Sequence, residues 1–356
     1  MSHFQSTFEA QTAQVRVRFG LGVRHDIASE IDRLGCKRAL VLSTPPQSDA
    51  AMDVAGSING HAAGVFTKAA PHTPIDVTQE ALEHVQDIKA DCVIAIGGGS
   101  TTGLGKAIAL HTDLPQIVMP TTFAGSEATA ILGQTENGVK TTVTDTRVQP
   151  EVVLYDAELV RTLPTNLAVT SGLNAMAHAA EALYAKNRNP LSTMLAVEGL
   201  KAFASALPKI VAAPDDDEAR GEALYGAWLC GTVLGQVGMA LHHKLCHTHG
   251  GSFDLPHAET HAIVLPHAIA FNEKAAADQL RPLADLFETD SPGQALFDFA
   301  QSLGAPTRLT DIGFDPDQAE KAAKIATANP YWNPRAFSAD DLMPLLRNAS
   351  LGHRPN

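Results

Sequence analysis

No stretch of this 356-residue chain comes near the roughly 20 uncharged apolar residues that a helical membrane span requires. The first residues, Met-Ser-His-Phe-Gln-Ser-Thr, lack the basic start and apolar core of a secretory signal, so a cytoplasmic protein is expected. Cysteine is scarce and scattered: Cys36, Cys92, Cys230 and Cys246 form no Cys-x-x-Cys pair and no even framework. That excludes a disulfide scaffold and suits a reducing compartment. Basic residues are also in short supply, 26 against 39 acidic, for a formal charge of -13. Such a balance argues against nucleic acid and acidic membrane surfaces as partners. It would also repel an anionic substrate at long range, so a site for one needs cations of its own. The G-x-G-x-x-G dinucleotide fingerprint is missing as well.

What is present is a globular composition on a chain long enough for two domains, since single cores stop growing near roughly 250–300 residues. Up to about Asp156, short apolar runs alternate with helical patterns, the signature of a parallel sheet covered by helices. Strands are predicted at 38–42, 64–66, 92–96, 116–119 and 152–155, and Val77, Ala81, Val85 and Ile88 predict a helix over 76–87. From about Leu159 the pattern turns helical, with Ala- and Leu-rich stretches at 171–185, 193–206, 218–233 and 278–286. The expectation is an α/β nucleotide-binding domain over 1–158, with a Rossmann-like parallel sheet, and an all-α substrate domain over 159–356. Pro150 and the segment 156–164 are the hinge candidates, and the helical domain is expected to face the nucleotide loops across a cleft.

The predicted strand at 92–96 runs into Gly97, Gly98, Gly99 and Ser100, followed by a predicted helix over 103–110. Glycines after a strand let backbone amides approach a pyrophosphate at a helix N-terminus. A plain tight turn would use the same residues. A second loop, Pro120-Thr-Thr-Phe-Ala-Gly-Ser-Glu127, also follows a strand and offers hydroxyls at Thr121, Thr122 and Ser126. Two such loops at successive strand ends suit a cofactor crevice. Ser43 follows an earlier strand, where a small side chain leaves room for a 2′-phosphate, so use of both NADH and NADPH is expected. Lys140 completes the set of cofactor-binding candidates.

Seven of the fifteen histidines fall between Leu241 and His267. His243 and His247 are one helical turn apart, which places them on one face. Asn174 and His178 repeat that spacing upstream, and His257 lies ten residues after His247. Imidazoles with a carboxylate could hold a divalent ion at such spacings, but position 174 carries an uncharged amide. His242, His249, His261 and His267 are expected at helix ends or interfaces, and Cys246 in packing. Lys244 is either solvated or a substrate ligand. Asn329-Pro-Tyr-Trp-Asn-Pro-Arg335 cannot be helical; its Tyr331, Trp332 and Arg335 either reach the cleft or form a surface turn.

With these residues in hand, the chain resembles the iron-containing (group III) alcohol dehydrogenase family over essentially its full length. The carrying residues are the glycine run with Ser100, Pro120-Thr-Thr122 with Gly125-Ser-Glu127, Ser171-Gly-Leu-Asn174 with His178, and His243, His247 and His257. The resemblance implies the dehydroquinate synthase-like fold of that family and, usually, a metal held by one Asp and three His. Those four positions map to Asn174, His178, His243 and His257, while His247 maps to a non-ligand histidine assigned to proton transfer. Asn174 departs from the pattern, and so does Gly103, where an acidic residue is usual. Both departures are similar to the branch that reduces the carbon–carbon double bond of maleylacetate to give 3-oxoadipate in aromatic-compound degradation.

That resemblance implies NADH or NADPH as cofactor, no metal, a small dianionic substrate, and a cytoplasmic homodimer without nucleic-acid or membrane partners. It also implies catalysis by His243, His247, His178, His257 and Asn174, with Arg335, Lys244 and Tyr331 binding substrate. A metal-dependent alcohol dehydrogenase, or a silent nucleotide-binding member, stands as the alternative.

Overall fold

The computed structural model describes residues 7–10, 14–136 and 139–356, the side chains at 139 and 140 excepted. The chain divides into two compact units between Leu163 and Pro164. In the first, β1 (Arg16–Phe19), α1 (Ile27–Arg33), β2 (Ala39–Leu42), α2 (Ser48–Ser57), β3 (Ala62–Phe66), α3 (Ile75–Ile88), β4 (Cys92–Gly97), α4 (Gly99–Thr112) and β5 (Gln116–Pro120) follow one another. A hairpin of β6 (Ile131–Glu136) and β7 (Val139–Thr144) comes next, and then β8 (Val152–Tyr155). Six strands pair in parallel in the order β1-β8-β5-β4-β2-β3.

Parallel neighbours need crossover helices, and these cover both faces of the sheet. The central strands are therefore buried at every position, as β2, β4, β5 and β8 are. One face, with Val41, Ile94, Ile96 and Leu154, packs on Ile27 and Ile31 of α1 and on Ala51 and Val54 of α2. The other, with Leu40, Leu42 and Val93, takes Ala81 and Val85 of α3 and Leu104 and Ile108 of α4. This unbroken apolarity is what made these strands legible.

Two features were not foreseen. β1 is an edge strand held by charge: Arg16 Nε lies 2.9 Å and Arg33 Nε 2.7 Å from the buried Glu30 carboxylate, with Arg18 Nη1 at 3.2 Å. The β6–β7 hairpin is the other, a pair outside the main sheet.

The second unit is helical: α5 (Thr165–Leu183), α6 (Pro190–Ala212), α7 (Asp217–Gln236), α8 (Leu241–Phe253), α9 (His257–Asn272), α10 (Ala277–Leu286), α11 (Pro292–Ser302), α12 (Ala319–Ala328) and α13 (Ala339–Leu351). α5 lies at its centre, against α6, α7 and α9, and every residue from Ala168 to Leu183 is buried. Alanines and Gly172 let neighbouring helices approach closely. The polar residues Asn174, His178 and Glu181 follow at intervals of four and three, and so share one face. Among the described residues no single helix is long and apolar enough to cross a membrane. The architecture is the expected parallel α/β sheet plus a helical C-terminal part.

Asp156 anchors the end of the sheet. Fully buried after β8, its carboxylate accepts from the amides of Gly22 and Arg24, each at 3.0 Å, and from its own downstream Glu158 amide at 3.0 Å. The turn after β1 is thereby tied to the end of β8. Asp156→Ala should cost about 2–3 kcal/mol, because two amides of that turn lose a charged acceptor. Urea unfolding measures this; a loss below about 0.5 kcal/mol would show that the anchor lies elsewhere.

Candidate active site

In the sheet unit, β4 and β5 are neighbours, and the amide of Thr121 donates to Gly97 O at 3.1 Å, so the two loops lie side by side. Gly97 and Gly98 are required by packing: an added Cβ would come within 2.3 Å of Thr101 Oγ1 and 2.9 Å of Thr122 Cγ2. Gly99 differs, since a Cβ there meets nothing within 4 Å. It opens α4, whose N-terminus no side chain caps. An uncapped helix start carries partial positive charge and free donors, which fits the pyrophosphate of a dinucleotide. Ser100 lies in the first turn of the same helix, and the hydroxyls of Thr101, Thr102 and Ser126 are buried without partners.

Gln47 and Lys106 escaped the sequence reading. Gln47 Nε2 donates to Thr121 Oγ1 at 2.9 Å while its Oε1 accepts from Thr44 Oγ1 at 3.2 Å, linking the loop after β2 to the loop after β5. Lys106 is fully buried in α4 and donates to Ser126 O, Thr129 O, Thr129 Oγ1 and Ile131 O at 2.6, 2.7, 2.9 and 2.9 Å. Burial brings its ammonium down to about 7, against the opposing pull of Glu127. A single cation thus pins the segment behind Ser126. Ser43 requires a correction. It is completely buried, with its backbone bonded to Phe66 O and the Ala69 amide and its hydroxyl without a partner, so it does not lie open at the surface of the loop. Lys140 has a side chain outside the described residues.

In the helical unit, α5, α8 and α9 bring the histidines together. Ring centroids lie 5.2 Å apart for His178 and His243, 6.0 Å for His243 and His247, and 5.1 Å for His243 and His261. His257, the first residue of α9, packs against His261 with ring centroids 4.2 Å apart and planes tilted by 54°. Asn174 Oδ1, His178 Nδ1 and His243 Nε2 are buried without hydrogen-bond partners. Unpartnered buried polar atoms are costly, by about 1–3 kcal/mol each, and mark a place where a ligand completes the bonding.

The remaining four histidines are all buried, His242 in the first turn of α8 as expected of a helix end, and His249, His261 and His267 inside α8 and α9. His242 and His261 form a second row: His242 Nε2 is 3.0 Å from His261 Nδ1 and 3.7 Å from Cys246 Sγ. His249 donates from Nδ1 to Leu245 O at 2.8 Å beneath Phe314, and His267 packs near Phe297. Glu181 was also missed. Its buried carboxylate takes His243 Nδ1 at 2.8 Å and the amides of Ala240 and His242 at 2.8 and 2.7 Å. The signal was in the sequence, three residues after His178 on the same helical face.

The strap at 329–335 meets this unit in two places. Tyr331 Oη lies 2.9 Å from His247 Nδ1, and Lys244 Nζ sits 5.4 Å above the Tyr331 ring. Arg335 goes elsewhere: its guanidinium stacks 3.8 Å over Phe271, donates to Phe271 O at 3.2 Å and lies 4.0 Å from Asp341. The carboxylate clamp expected of Arg335 thus finds its cation already engaged.

The four positions that the resemblance assigns to a metal supply three imidazoles and an amide oxygen, with no anion to balance a dication. The one adjoining carboxylate, Glu181, is consumed by amides and by His243. The donor set does not fit the family's usual metal.

Two family models match the chain: iron-containing alcohol dehydrogenase over residues 14–157, and the C-terminal part of the Fe-containing alcohol dehydrogenase family over residues 168–350. The chain belongs to the iron-containing alcohol dehydrogenase family and is an oxidoreductase. It is 58% identical over 348 residues to the maleylacetate reductase of Rhizobium sp. (strain MTP-10005), covering 98% of this chain and 99% of that one. The maleylacetate reductase of Burkholderia cepacia is 50% identical over 349 residues, again covering 98% and 99%. The crystal structure of maleylacetate reductase from Agrobacterium tumefaciens superposes with a TM-score of 0.96 at 58% identity, covering 99% of this chain and all of that one.

Burial holds His178, His242 and His261 well below the ordinary histidine value, and each is further depressed by neighbouring imidazoles. Burial alone brings His267 from 6.5 to about 4. These rings stay neutral in the fold but charge in the unfolded chain below pH 6.5, so the unfolded state binds more protons. Stability should therefore fall as pH drops from about 6.5 toward 4 and be insensitive to these groups above that window. Urea midpoints against pH should show the decline, and His267→Leu should flatten it. An unchanged slope in that variant would remove His267 from the cause.

Proposed function

We propose that this oxidoreductase reduces the carbon–carbon double bond of maleylacetate to 3-oxoadipate, using NADH or NADPH and no metal. One observation carries the reading: a buried cluster of imidazoles around an uncharged amide, in a chain 58% identical along its length to a maleylacetate reductase. Maleylacetate is an enone dianion whose ketone is conjugated to the alkene. The nicotinamide, when bound, supplies hydride to the alkene carbon remote from the ketone.

The protein's residues do the rest. The amides at the start of α4 and the open space at Gly99 bind the pyrophosphate, flanked by Thr121, Thr122 and Ser126. Negative charge grows on the ketone oxygen, where preorganised donors stabilise it. Asn174 and His178 orient the substrate, and His257 closes the row. His243 serves that oxygen, while His247, exposed and bonded to Tyr331, passes a proton to the carbon beside the ketone. Addition of hydride and proton then balances the reduction. Lys244 replaces Arg335 as the cation for a substrate carboxylate. On this reading the enzyme works in aromatic-compound degradation as a cytoplasmic homodimer.

Purified protein should oxidise NADH or NADPH in the presence of maleylacetate, and exhaustive EDTA treatment should leave the rate unchanged. Loss on chelation with recovery in Fe²⁺ or Zn²⁺ would overturn the metal-free mechanism and favour an alcohol dehydrogenase. His243→Ala and His247→Ala should each lower kcat at least about 100-fold with NADH binding intact. Lys244→Ala should act on KM for maleylacetate, as a contact shared by ground and transition states does.

Gly99→Val tests the nucleotide loops more cleanly than a change at Gly98, which would strike Thr122. It should raise KM for NADH at least about tenfold while the fold stays intact, the scale of one lost good contact near 1.4 kcal/mol. Normal NADH binding by this variant would move the phosphate cradle off α4.

A further inference from the structure

We propose that Glu181 is a positioning residue that decides which ring nitrogen of His243 meets the substrate, using the same carboxylate that starts α8. The kinetic part of this inference rests on the reductase reading; the geometric part does not. Glu181 lies on the fully buried stretch of α5, and no side chain of α8 caps that helix at Ala240. The carboxylate arrives from another helix to do so, with Oε2 2.8 Å from the Ala240 amide and Oε1 2.7 Å from the His242 amide. The Tyr184 hydroxyl donates to Oε1 at 3.3 Å. Oε2 is also 2.8 Å from His243 Nδ1.

An ionised carboxylate only accepts, so this geometry requires a proton on His243 Nδ1. His243 Nε2 is then the atom left for a ligand, and it is buried without a partner beside His178. One anion fixes both the start of α8 and the ring, so the helix cannot shift without turning His243. The same logic, in the Ser-His-Asp triad, makes a carboxylate the keeper of an imidazole's tautomer.

Glu181→Gln separates this role from packing. Glutamine has the same shape but one acceptor oxygen and one NH₂. With that oxygen held at the Oε1 position by the His242 amide and the Tyr184 hydroxyl, the NH₂ takes the place of Oε2 and faces the Ala240 amide and Nδ1, which must offer its lone pair, and the ring proton moves to Nε2. Two-bond ¹H–¹⁵N spectra of histidine-labelled protein read this directly, with His243 assigned by the signal missing in His243→Gln. Wild type should carry a proton on Nδ1. Glu181→Gln should lose it, keep its NADH dissociation constant, and fall about 10²–10⁴-fold in kcat on maleylacetate. A bare Nδ1 in wild type overturns the proposal, and needs no variant to fold. A fall in kcat with Nδ1 still protonated marks a packing effect and overturns it as well, as does a moved proton with unchanged kcat. Wild-type protein inert toward maleylacetate would sink the reductase reading while the spectrum still decides the tautomer.

Discussion

A helix buried on all sides cannot carry polar side chains unless each finds a partner, and the helical unit is organised around that constraint. α5 is buried from Ala168 to Leu183, yet Asn174, His178 and Glu181 interrupt its alanines on one face. Desolvating an unpaired carboxylate would be prohibitive, so Glu181 must collect donors. It finds them at the start of α8, where amides without a local cap need an acceptor. Two problems cancel each other. The outcome is that α8 begins where it does and that His243, His242 and His247 take the positions they hold.

The sheet unit solves a related problem with the opposite charge. Carbonyls of the chain leading into β6 converge on one point, where Lys106 donates to those of Ser126, Thr129 and Ile131. An ammonium is three donors on a flexible stem, so it can serve several carbonyls as a small cation would. The loop that carries the candidate hydroxyls is therefore held from beneath, and the glycine loop is held from beside by Gln47 and Thr121. In both units the residues expected to touch ligands are held by a second set of side chains, Glu181 in one and Lys106 with Gln47 in the other.

That division explains what the sequence made legible. Val, Ile and Leu runs at β2, β4, β5 and β8 announce strands because burial on both faces demands unbroken apolarity. β1 stayed hidden because Arg16 and Arg18 break any such run; its partner is a carboxylate, and pairing of charges leaves no period to read. The β6–β7 hairpin had a signal, the Asn137-Gly138 dipeptide between two Thr-containing runs, that was passed over. At the site, i, i+4 spacing was enough to group His243 with His247 and Asn174 with His178. It was not enough to place His242 and His261, because a second row of imidazoles depends on the angle at which α8 meets α9. Arg335 and Ser43 were chosen from residue type and place along the chain. Type does not say whether a guanidinium is already stacked, as over Phe271, or whether a hydroxyl faces inward.

Charge decides between the chemistries such a site could support. Neutral imidazoles at His178, His242 and His261 cannot attract a dianion, and the chain as a whole repels one. A carboxylate at position 174 would add a second anion on the face of α5 that already carries Glu181. An amide there removes that anion and keeps an oxygen and two donors in the same volume. The site is then left with one buried carboxylate, already bonded to amides and to His243, and with Asn174 Oδ1, His178 Nδ1 and His243 Nε2 unpartnered. An uncharged amide at 174 and a Glu181 carboxylate engaged by the Ala240 amide and His243 suit a reaction in which negative charge forms on an oxygen, as conjugate reduction requires.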